Sequence, residues 1–276
     1  MNDWLEQIEF ERTGPFRKAV ARAIVNPLAN YLPASLLRAI LKLTKSRLAE
    51  ANWRDPGGWR SMVISYDGHS GKPVDRILIG AGAMPRALRN RRKLASRLLA
   101  RLIDASARQP PHVLCLGAGP GCIIADALTA STAKATATLV DLSSDAFDYG
   151  RELATKLGLA DRVRFVVGDA RDVRKMLDGQ VDVVKMLGLC EYLTDEQIKA
   201  IATAVAEVMP AGAPLVVNTL SKAHGTDRFF RRVFGLHMTY RDAAALQAIC
   251  AAAGFGDFAA YWEPQRVYQV MVARRK

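Results

Sequence analysis

The stretch from Val113 to Gly121 constrains the fold more than any other part of this chain. Four apolar residues run directly into a Gly-Ala-Gly-Pro-Gly cluster, and a further apolar segment follows. This order predicts a buried strand, a tight turn and the beginning of a helix. Glycine suits such a turn, since a backbone without Cβ can bend sharply and let a ligand approach. The N–H groups at the helix start would favour an electron-rich ligand group, although an ordinary structural turn has the same pattern.

An acidic residue follows at the distance expected for a second strand. Asp141 closes the apolar run 137–140 and lies 24 residues after Gly117. A carboxylate at the tip of a second strand suits the two hydroxyls of a ribose, as in dinucleotide-binding folds. The alternative is that Asp141 caps the helix that begins after it.

Polar residues recur at the ends of the next two predicted strands. Asp169 follows the strand at 163–167, and Glu191 and Tyr192 follow the strand at 181–186. Ligands of open parallel sheets bind beyond the carboxyl ends of the strands. The sequence therefore predicts that these strand ends converge on one crevice.

This array resembles the class I S-adenosylmethionine-dependent methyltransferases over residues 109–276. The resemblance implies an α/β, Rossmann-like fold with a seven-stranded, mostly parallel sheet and a C-terminal antiparallel hairpin between residues 255 and 272. It also implies S-adenosyl-L-methionine as the cofactor. A nicotinamide-binding domain is the rival, but its Gly-x-Gly-x-x-Gly pattern needs glycine at the position of Cys122.

The resemblance also implies a role for each strand end. The glycine loop would hold the methionine end of the cofactor, Asp141 the ribose, and Asp169 the adenine amino group. The turn from Met209 to Gly212 resembles the one that precedes the family's fifth strand. The residues implied in cofactor binding are Gly117, Ala118, Gly119, Gly121, Asp141, Leu142, Asp169, Ala170 and Leu187.

Three residues are candidates for the chemistry itself. Methyl transfer from a sulfonium is an in-line displacement, so positioning matters more than acid or base catalysis. Glu191 and Tyr192 are the candidates at the fourth strand end. Glu191 could orient a nucleophile or offset the positive charge of the cofactor, although it is equally well explained as an exposed residue before a helix. His224 follows the fifth predicted strand and could act as a general base, although a loop histidine is often incidental. The spacing of the four cysteines predicts no metal site.

The net charge of +12 is concentrated in the first 108 residues. They carry 20 Lys and Arg against 9 Asp and Glu, whereas the rest of the chain carries 19 against 18. The densest part, Arg86 to Arg101, interleaves cations with leucines, which at helical spacing predicts a leucine stripe with cations over the remaining helix surface. A solvated basic face and contact with anionic lipid headgroups both fit this pattern. Nucleic acid is disfavoured, since aromatic residues are sparse among the cations.

The charge balance changes beside Pro110 and Pro111, and this predicts a domain boundary between residues 108 and 109. Residues 1–108 are predicted to form a basic helical cap on the substrate side. Residues 109–276 are predicted to form the S-adenosylmethionine-binding methyltransferase domain.

Within the cap, two amphipathic helices are expected at residues 16–25 and 35–43, with breaks at Pro27 and Pro33. A segment rich in Trp, Gly and Pro follows at residues 53–73. This composition suits either a loop that closes over a pocket or an ordinary connector.

Taken together, these patterns predict an S-adenosylmethionine-dependent methyltransferase that acts on a small-molecule or lipid-like acceptor. Transfer of the aminocarboxypropyl group, as in nicotianamine-synthase-like proteins, is one alternative. A non-catalytic cofactor-sensing or membrane-binding protein is another. No apolar run approaches the roughly 20 residues needed to span a bilayer, and the N-terminus lacks a secretory pattern. We therefore expect a cytoplasmic protein, with peripheral contact to an anionic membrane as an open alternative.

Overall fold

The computed structural model of the protein describes residues 3–68 and 72–276. Its α-helices differ widely in length, from single turns to the 22-residue α8. They are α1 (Asp3–Glu6), α2 (Pro15–Val20), α3 (Asn26–Tyr31), α4 (Ala34–Leu43), α5 (Arg47–Arg54), α6 (Trp59–Asp67), α7 (Pro73–Asp75), α8 (Ala83–Asp104), α9 (Cys122–Ala130), α10 (Phe147–Lys156), α11 (Asp195–Glu207), α12 (Asp227–Phe229) and α13 (Ala243–Ala252).

Short helical turns of other types complete the helical content. The π-helical turns are Ala21–Val25, Arg76–Ala81 and Phe230–Phe234. The 3₁₀ turns are Ser144–Ala146, Ala160–Arg162, Ala170–Met176, Cys190–Tyr192 and Lys222–His224. No helix within residues 3–68 and 72–276 is both long and apolar enough to cross a bilayer.

Seven strands form one sheet in the order β3-β2-β1-β4-β5-β7-β6. The first five strands pair in parallel. At the other end of the sheet, Gly212 N–H donates to the Arg275 carbonyl and Ser221 N–H to the Val267 carbonyl, so β5 and β7 run in opposite directions. Glu263 N–H donates to the Tyr268 carbonyl and Lys276 N–H to the Gly254 carbonyl, so β6 and β7 are also antiparallel. The strands are β1 (His112–Leu116), β2 (Thr136–Asp141), β3 (Val163–Val167), β4 (Val183–Met186), β5 (Pro214–Leu220), β6 (Phe255–Trp262) and β7 (Tyr268–Arg275). The predicted sheet with its C-terminal hairpin is confirmed.

The strand order places a crevice at the middle of the sheet. From β1 the chain moves outward to β2 and β3, then returns to β4 on the other side of β1. In such sheets the ligand site lies beyond the carboxyl ends of the strands where the direction reverses. The central strands are nearly continuous apolar runs, since both of their faces are covered, and every residue of β4 and β5 is buried.

The chain groups into two compact units that both draw on distant segments. The first comprises residues 1–91, 221–240 and 262–268, and the second comprises residues 92–220, 241–261 and 269–276. The first unit has a core of Leu41, Ala49, Phe229, Val233, Phe234 and Leu236. The second has a larger core around β1, β4, β5 and α11. The boundary between residues 108 and 109 stays a prediction.

The expected break at Pro27 is wrong, because helical structure continues from Pro15 to Tyr31. The π-helical turn at Ala21–Val25 precedes the proline, and Asn26 N–H donates to the Ala21 carbonyl five residues back. Pro27 then occupies the first turn of α3, where a missing N–H costs little. The change of register before the proline therefore lets the helix continue.

The segment at residues 53–73 is mostly helical rather than a loop. Helix α5 contains Trp53 and helix α6 begins at Trp59, so only short turns remain between them. The expectation of a closing loop is therefore wrong for this part of the segment. His69, Ser70 and Gly71, which also belong to it, lie outside the described residues.

The predicted arrangement of α8, with cations over its outer surface, is wrong at three arginines. Arg86, Arg89 and Arg91 are buried, whereas Lys93 and Arg97 are exposed. Helical spacing alone treats every cation as a solvent-facing group. Burial is tolerated here because the guanidinium groups find carboxylate, carbonyl and aromatic partners.

Arg89 has the fullest set of these partners. Its Nε and Nη2 donate to the two carboxylate oxygens of Glu11 at 2.6 and 2.7 Å, and its Nη1 donates to the carbonyls of Ser65 and Ile79 at 2.9 and 3.1 Å. The guanidinium of Arg91 lies 4.3 Å from the centroid of the Tyr268 ring. These two cations of α8 thus interact with groups inside the protein and not with solvent.

We expect Arg89→Ala to lower the free energy of unfolding by about 2–3 kcal/mol, since it removes the paired hydrogen bonds to the partly exposed Glu11 carboxylate and the donor to two carbonyls. Urea denaturation at neutral pH measures this. Arg97→Ala removes an exposed cation from the same helix and should change stability by no more than about 0.5 kcal/mol. If both substitutions change the free energy of unfolding by the same small amount, the hydrogen bonds of Arg89 do not stabilise the fold.

Candidate active site

The glycine loop after β1 has the backbone conformation that its sequence predicts. β1 ends at Leu116 and α9 begins at Cys122. Gly119 and Gly121 have φ values of 51° and 75°, in the left-handed region that favours glycine. A Cβ on Gly121 would also lie 2.3 Å from a methyl carbon of Leu139. The loop therefore requires glycine both for its turns and for its packing against β2.

Asp141 links this loop to the end of β2. Its Oδ2 accepts the N–H of Gly119 at 2.8 Å, and its Oδ1 accepts the N–H of Ser143 at 3.2 Å. The Ala118 N–H also donates to the Val140 carbonyl at 3.1 Å. The 3₁₀ turn that follows is capped by Ser143, not by Asp141. A carboxylate has about four lone-pair sites, so these two bonds leave acceptor capacity for hydroxyl groups.

The end of β3 joins the same group of residues. Gly168 N–H donates to the Asp141 carbonyl at 2.9 Å. Asp169 caps the 3₁₀ turn that begins at Ala170, and its carboxylate also pairs with Arg171 at 2.5 Å. These side-chain and backbone hydrogen bonds from Arg171 lower the pKa of Asp169 to about 2. Asp169 is therefore an anion, and the exposed Arg171 is its partner.

The fourth strand end contacts the glycine loop through apolar atoms. A Cβ on Gly117 would lie 3.3 Å from a methyl carbon of Leu189, so this glycine lets the loop after β4 approach closely. Gly188 N–H donates to the Asn218 side chain on β5 at 2.7 Å. Leu187 is buried beside this turn, whereas Leu142 at the end of β2 is exposed.

Glu191 and Tyr192 lie in the 3₁₀ turn after β4, and Arg241 fixes this turn. Glu191 is buried and Tyr192 is exposed, so the alternative that Glu191 is an exposed residue before a helix is wrong. The Arg241 guanidinium donates to the carbonyls of Cys190 and Leu193 and to the Asp195 carboxylate, each at 2.7 Å. Three bonds from one nearly buried side chain hold both ends of the turn that carries the two candidates.

His224 lies in the first compact unit, in a chain of hydrogen bonds with Tyr240 and Asp227. The Thr226 N–H donates to its Nδ1 at 3.3 Å, so Nδ1 carries the lone pair and Nε2 the hydrogen. Nε2–H then donates to the Tyr240 hydroxyl at 3.1 Å, and that hydroxyl donates to Asp227 at 2.7 Å. His224 is only 1% exposed.

Burial lowers the pKa of His224 to about 4, and the Asp227 carboxylate only partly offsets this effect. The imidazole is therefore neutral near pH 7. In this conformation both ring nitrogens are engaged by neighbouring groups, so the geometry favours a structural role. General-base action by His224 stays a prediction.

The structure thus brings together the ends of β1, β2, β3 and β4. Hydrogen bonds from Gly119 and Gly168 to Asp141 connect the ends of β1, β2 and β3. Leu189, after β4, packs against the glycine loop and connects the fourth strand end. Two residues of this region were missed by the sequence argument. Asn218 is a lone amide within an apolar strand, which was a usable signal. Arg241 gave no usable signal, because its targets at Cys190 and Leu193 lie 51 and 48 positions away in the sequence.

An open parallel sheet with a glycine loop and an acidic second strand end is the arrangement of Rossmann-like nucleotide-binding folds. Residues 113–212 match the family described as a methyltransferase domain. This part of the chain is therefore a methyltransferase domain, and the predicted resemblance to the S-adenosylmethionine-dependent methyltransferases, with their cofactor, is confirmed. None of the curated proteins compared with the chain matches it.

Solved structures share the fold at low sequence identity. A possible exported protein from Bordetella parapertussis is 16% identical with a TM-score of 0.61, covering 88% of this chain and 97% of that one. Magnesium protoporphyrin IX methyltransferase from Synechocystis PCC 6803, with bound S-adenosylhomocysteine, is 16% identical with a TM-score of 0.58, covering 88% and 99%. N,N-8-amino-8-demethyl-D-riboflavin dimethyltransferase from Streptomyces davawensis is 19% identical with a TM-score of 0.54, covering 92% and 74%.

We expect Arg241→Ala to loosen the turn that carries Glu191 and Tyr192. Loss of three donors to the segment 190–195 should lower the unfolding free energy by about 2–3 kcal/mol. Amide hydrogen exchange in this segment should become faster, while exchange in β1 changes little. Arg241→Lys keeps the charge but not the three-pronged geometry, and should recover only part of the protection. Unchanged exchange in both variants would show that other contacts hold the turn.

We expect His224 to make stability fall in mild acid. Its pKa is about 4 in the folded state and 6.5 in the unfolded chain, so its full contribution is present above pH 6.5 and is lost as the pH falls. The loss between pH 7 and pH 4 should be about 3 kcal/mol larger for the parent than for His224→Gln, which cannot be protonated. Denaturant unfolding across this pH range measures it. Parallel curves would contradict the lowered pKa.

Proposed function

We propose that the protein transfers the methyl group of S-adenosylmethionine to a small-molecule or lipid-like acceptor. The observation that carries the site assignment is the 2.8 Å bond between Gly119 N–H and the Asp141 carboxylate. This bond places the left-handed glycine turn and an anionic acceptor beside each other at the crevice of the sheet. That combination suits a cofactor with a charged amino-acid end and a ribose.

The residues present fit this cofactor. The loop of Gly117, Ala118, Gly119 and Gly121 would approach its methionine part, because no Cβ blocks the backbone at the three glycines. Asp141 would accept the ribose hydroxyls, with Leu142 beside it. Asp169 and Ala170 would face the adenine, and the exposed Arg171 side chain would move aside to release the Asp169 carboxylate. Buried Leu187 would line the floor.

The cofactor supplies an electrophilic methyl group on a sulfonium, so the remaining task of the protein is to position the acceptor in line with it. We propose Glu191 and Tyr192 for this role, because Arg241 fixes the turn that carries them. Glu191 would orient the nucleophile. His224 is the weaker candidate for a base, since its buried imidazole would have to leave Tyr240 or Thr226 to accept a proton.

The acceptor class is supported by two considerations. The neighbours named above act on magnesium protoporphyrin IX and on an aminoriboflavin, which are both small molecules with conjugated rings. Leu187 and Leu189 lie beside the glycine loop, and these apolar residues favour an acceptor with apolar parts. The atom that receives the methyl group follows from neither.

We expect Asp141→Ala to weaken binding of S-adenosylmethionine and S-adenosylhomocysteine by roughly 10- to 100-fold. Hydrogen bonds to a charged acceptor are worth about 1.5–3 kcal/mol, and the glycine loop also loses its tie to β2. Isothermal titration calorimetry measures this. Asp161→Ala removes an exposed acid at the opposite, amino-terminal edge of the sheet and should bind normally.

Two outcomes would contradict the proposal. Unchanged affinity of Asp141→Ala for both compounds would remove Asp141 from the cofactor site. Methylthioadenosine as the by-product of turnover, in place of S-adenosylhomocysteine, would indicate aminocarboxypropyl transfer. Mass spectrometry of reactions with candidate acceptors distinguishes these by-products directly.

A further inference from the structure

Residues 12–49, here called the N-terminal surface, carry positive charge without any acidic residue. The segment contains eight Lys and Arg side chains and no Asp or Glu. All eight cations are exposed to solvent. They are Arg12, Arg17, Lys18, Arg22, Arg38, Lys42, Lys45 and Arg47. The region therefore presents a local charge of +8, most of the net charge of the chain.

The same surface exposes large apolar side chains. No residue between Pro15 and Tyr31 is buried. Phe16 is 79% exposed and Leu43 is 83% exposed. The full set of exposed large apolar residues is Phe16, Ile24, Val25, Leu28, Tyr31, Leu36, Ile40 and Leu43. Single exposed apolar residues are common, but eight within 28 residues form a patch that marks an interaction site.

The helix from Pro15 to Tyr31 contacts the rest of its unit through two asparagines and Ala29. Asn30 donates from Nδ2 to the Gly225 carbonyl at 2.8 Å and accepts the Phe229 N–H at 3.0 Å. Asn26 lies against Gly225 as well. An ordinary surface helix buries its apolar stripe and exposes its polar one. In this helix the large apolar side chains are exposed together with the cations, so both are available to a partner.

Helix α4 has two apolar stripes, of which only one is used inside the protein. Leu41 is buried in the core of the first unit, with Leu37 partly buried beside it. Leu36, Ile40 and Leu43 recur at intervals of four and three residues and are exposed. This spacing places them along one side of the helix. The outward stripe adds to the exposed apolar residues of the preceding helix.

We propose that the N-terminal surface docks on an anionic lipid bilayer. Apolar side chains that enter the headgroup region, next to cations that attract its phosphates, are the combination by which helices bind parallel to a membrane surface. A second copy of the chain fits less well, because two surfaces of charge +8 would repel each other. Nucleic acid also fits less well, since six of the eight apolar residues are aliphatic and cannot stack on bases.

Co-sedimentation with vesicles tests this proposal. The full-length protein should bind phosphatidylcholine vesicles containing 30% phosphatidylglycerol, and binding to pure phosphatidylcholine should be weaker by at least about tenfold. The variant Arg17→Gln, Lys18→Gln, Arg22→Gln should bind the anionic vesicles on the order of 100-fold more weakly at low salt, because each cation contributes roughly fivefold. The variant Phe16→Ser, Leu28→Ser, Leu43→Ser should lose at least about tenfold.

A matched control variant distinguishes an effect of the N-terminal surface from an effect of the net charge of the protein. Lys134→Gln, Lys156→Gln, Lys199→Gln removes three exposed cations from the second unit and should leave lipid binding within about twofold of the parent. All three variants alter exposed side chains, so their thermal unfolding should match the parent. Cofactor titration should also be unchanged, and this keeps the lipid proposal separate from the proposed methyl transfer.

Three results would overturn the proposal. One is that the parent remains in the supernatant with anionic vesicles at low salt. Another is a dimer in sedimentation velocity that becomes a monomer when Phe16, Leu28 and Leu43 are substituted. A second copy of the chain would then occupy the surface. The last is binding of a single-stranded RNA oligonucleotide that the Arg17, Lys18 and Arg22 substitutions abolish while lipid binding is absent.

Discussion

The Asp141 carboxylate is the contact on which the proposed cofactor site depends. It accepts the Gly119 N–H, and thereby holds a turn of left-handed glycines against the end of the neighbouring strand. Its own backbone carbonyl accepts the Gly168 N–H, which brings the third strand end into the same group. One residue therefore ties three loops together before any ligand is bound. A site organised in this way loses little conformational entropy when the ligand arrives.

The parts of the fold that follow from local chemistry could be predicted from the sequence. An apolar run before a glycine cluster has few conformations open to it, so the β1 turn was predictable at Gly117 to Gly121. The glycine loop and the polar strand ends after it carried the family resemblance, and this resemblance implied the seven-stranded sheet and the hairpin between residues 255 and 272. These predictions depend on patterns within about ten residues, which the rest of the chain rarely overrides.

The parts that depend on distant partners could not be predicted in this way. The burial of Arg89 requires Glu11, 78 positions away, and the hold of Arg241 on the turn at Cys190 spans 51 positions. The hydrophobic pattern of a helix predicts which side chains share a face, but it does not predict which residues of other segments pack against that face. The predicted break at Pro27 was wrong for a different reason. A π-helical turn, which lets the helix continue there, has no clear sequence signature.

The composition of the first compact unit has a consequence for synthesis of the chain on the ribosome. Its N-terminal helices pack against residues 221–240, and Asn30 bonds to Gly225 across 195 positions. The chain emerges from its N-terminus at about 5–20 residues per second, so Leu41 and its neighbours wait on the order of ten seconds or more for Phe229 and Phe234 to be made. During that interval the apolar helices have no intramolecular core to join. Folding of the first unit therefore cannot be completed until residues 221–240 have been made, and its apolar helices stay exposed on the nascent chain until then.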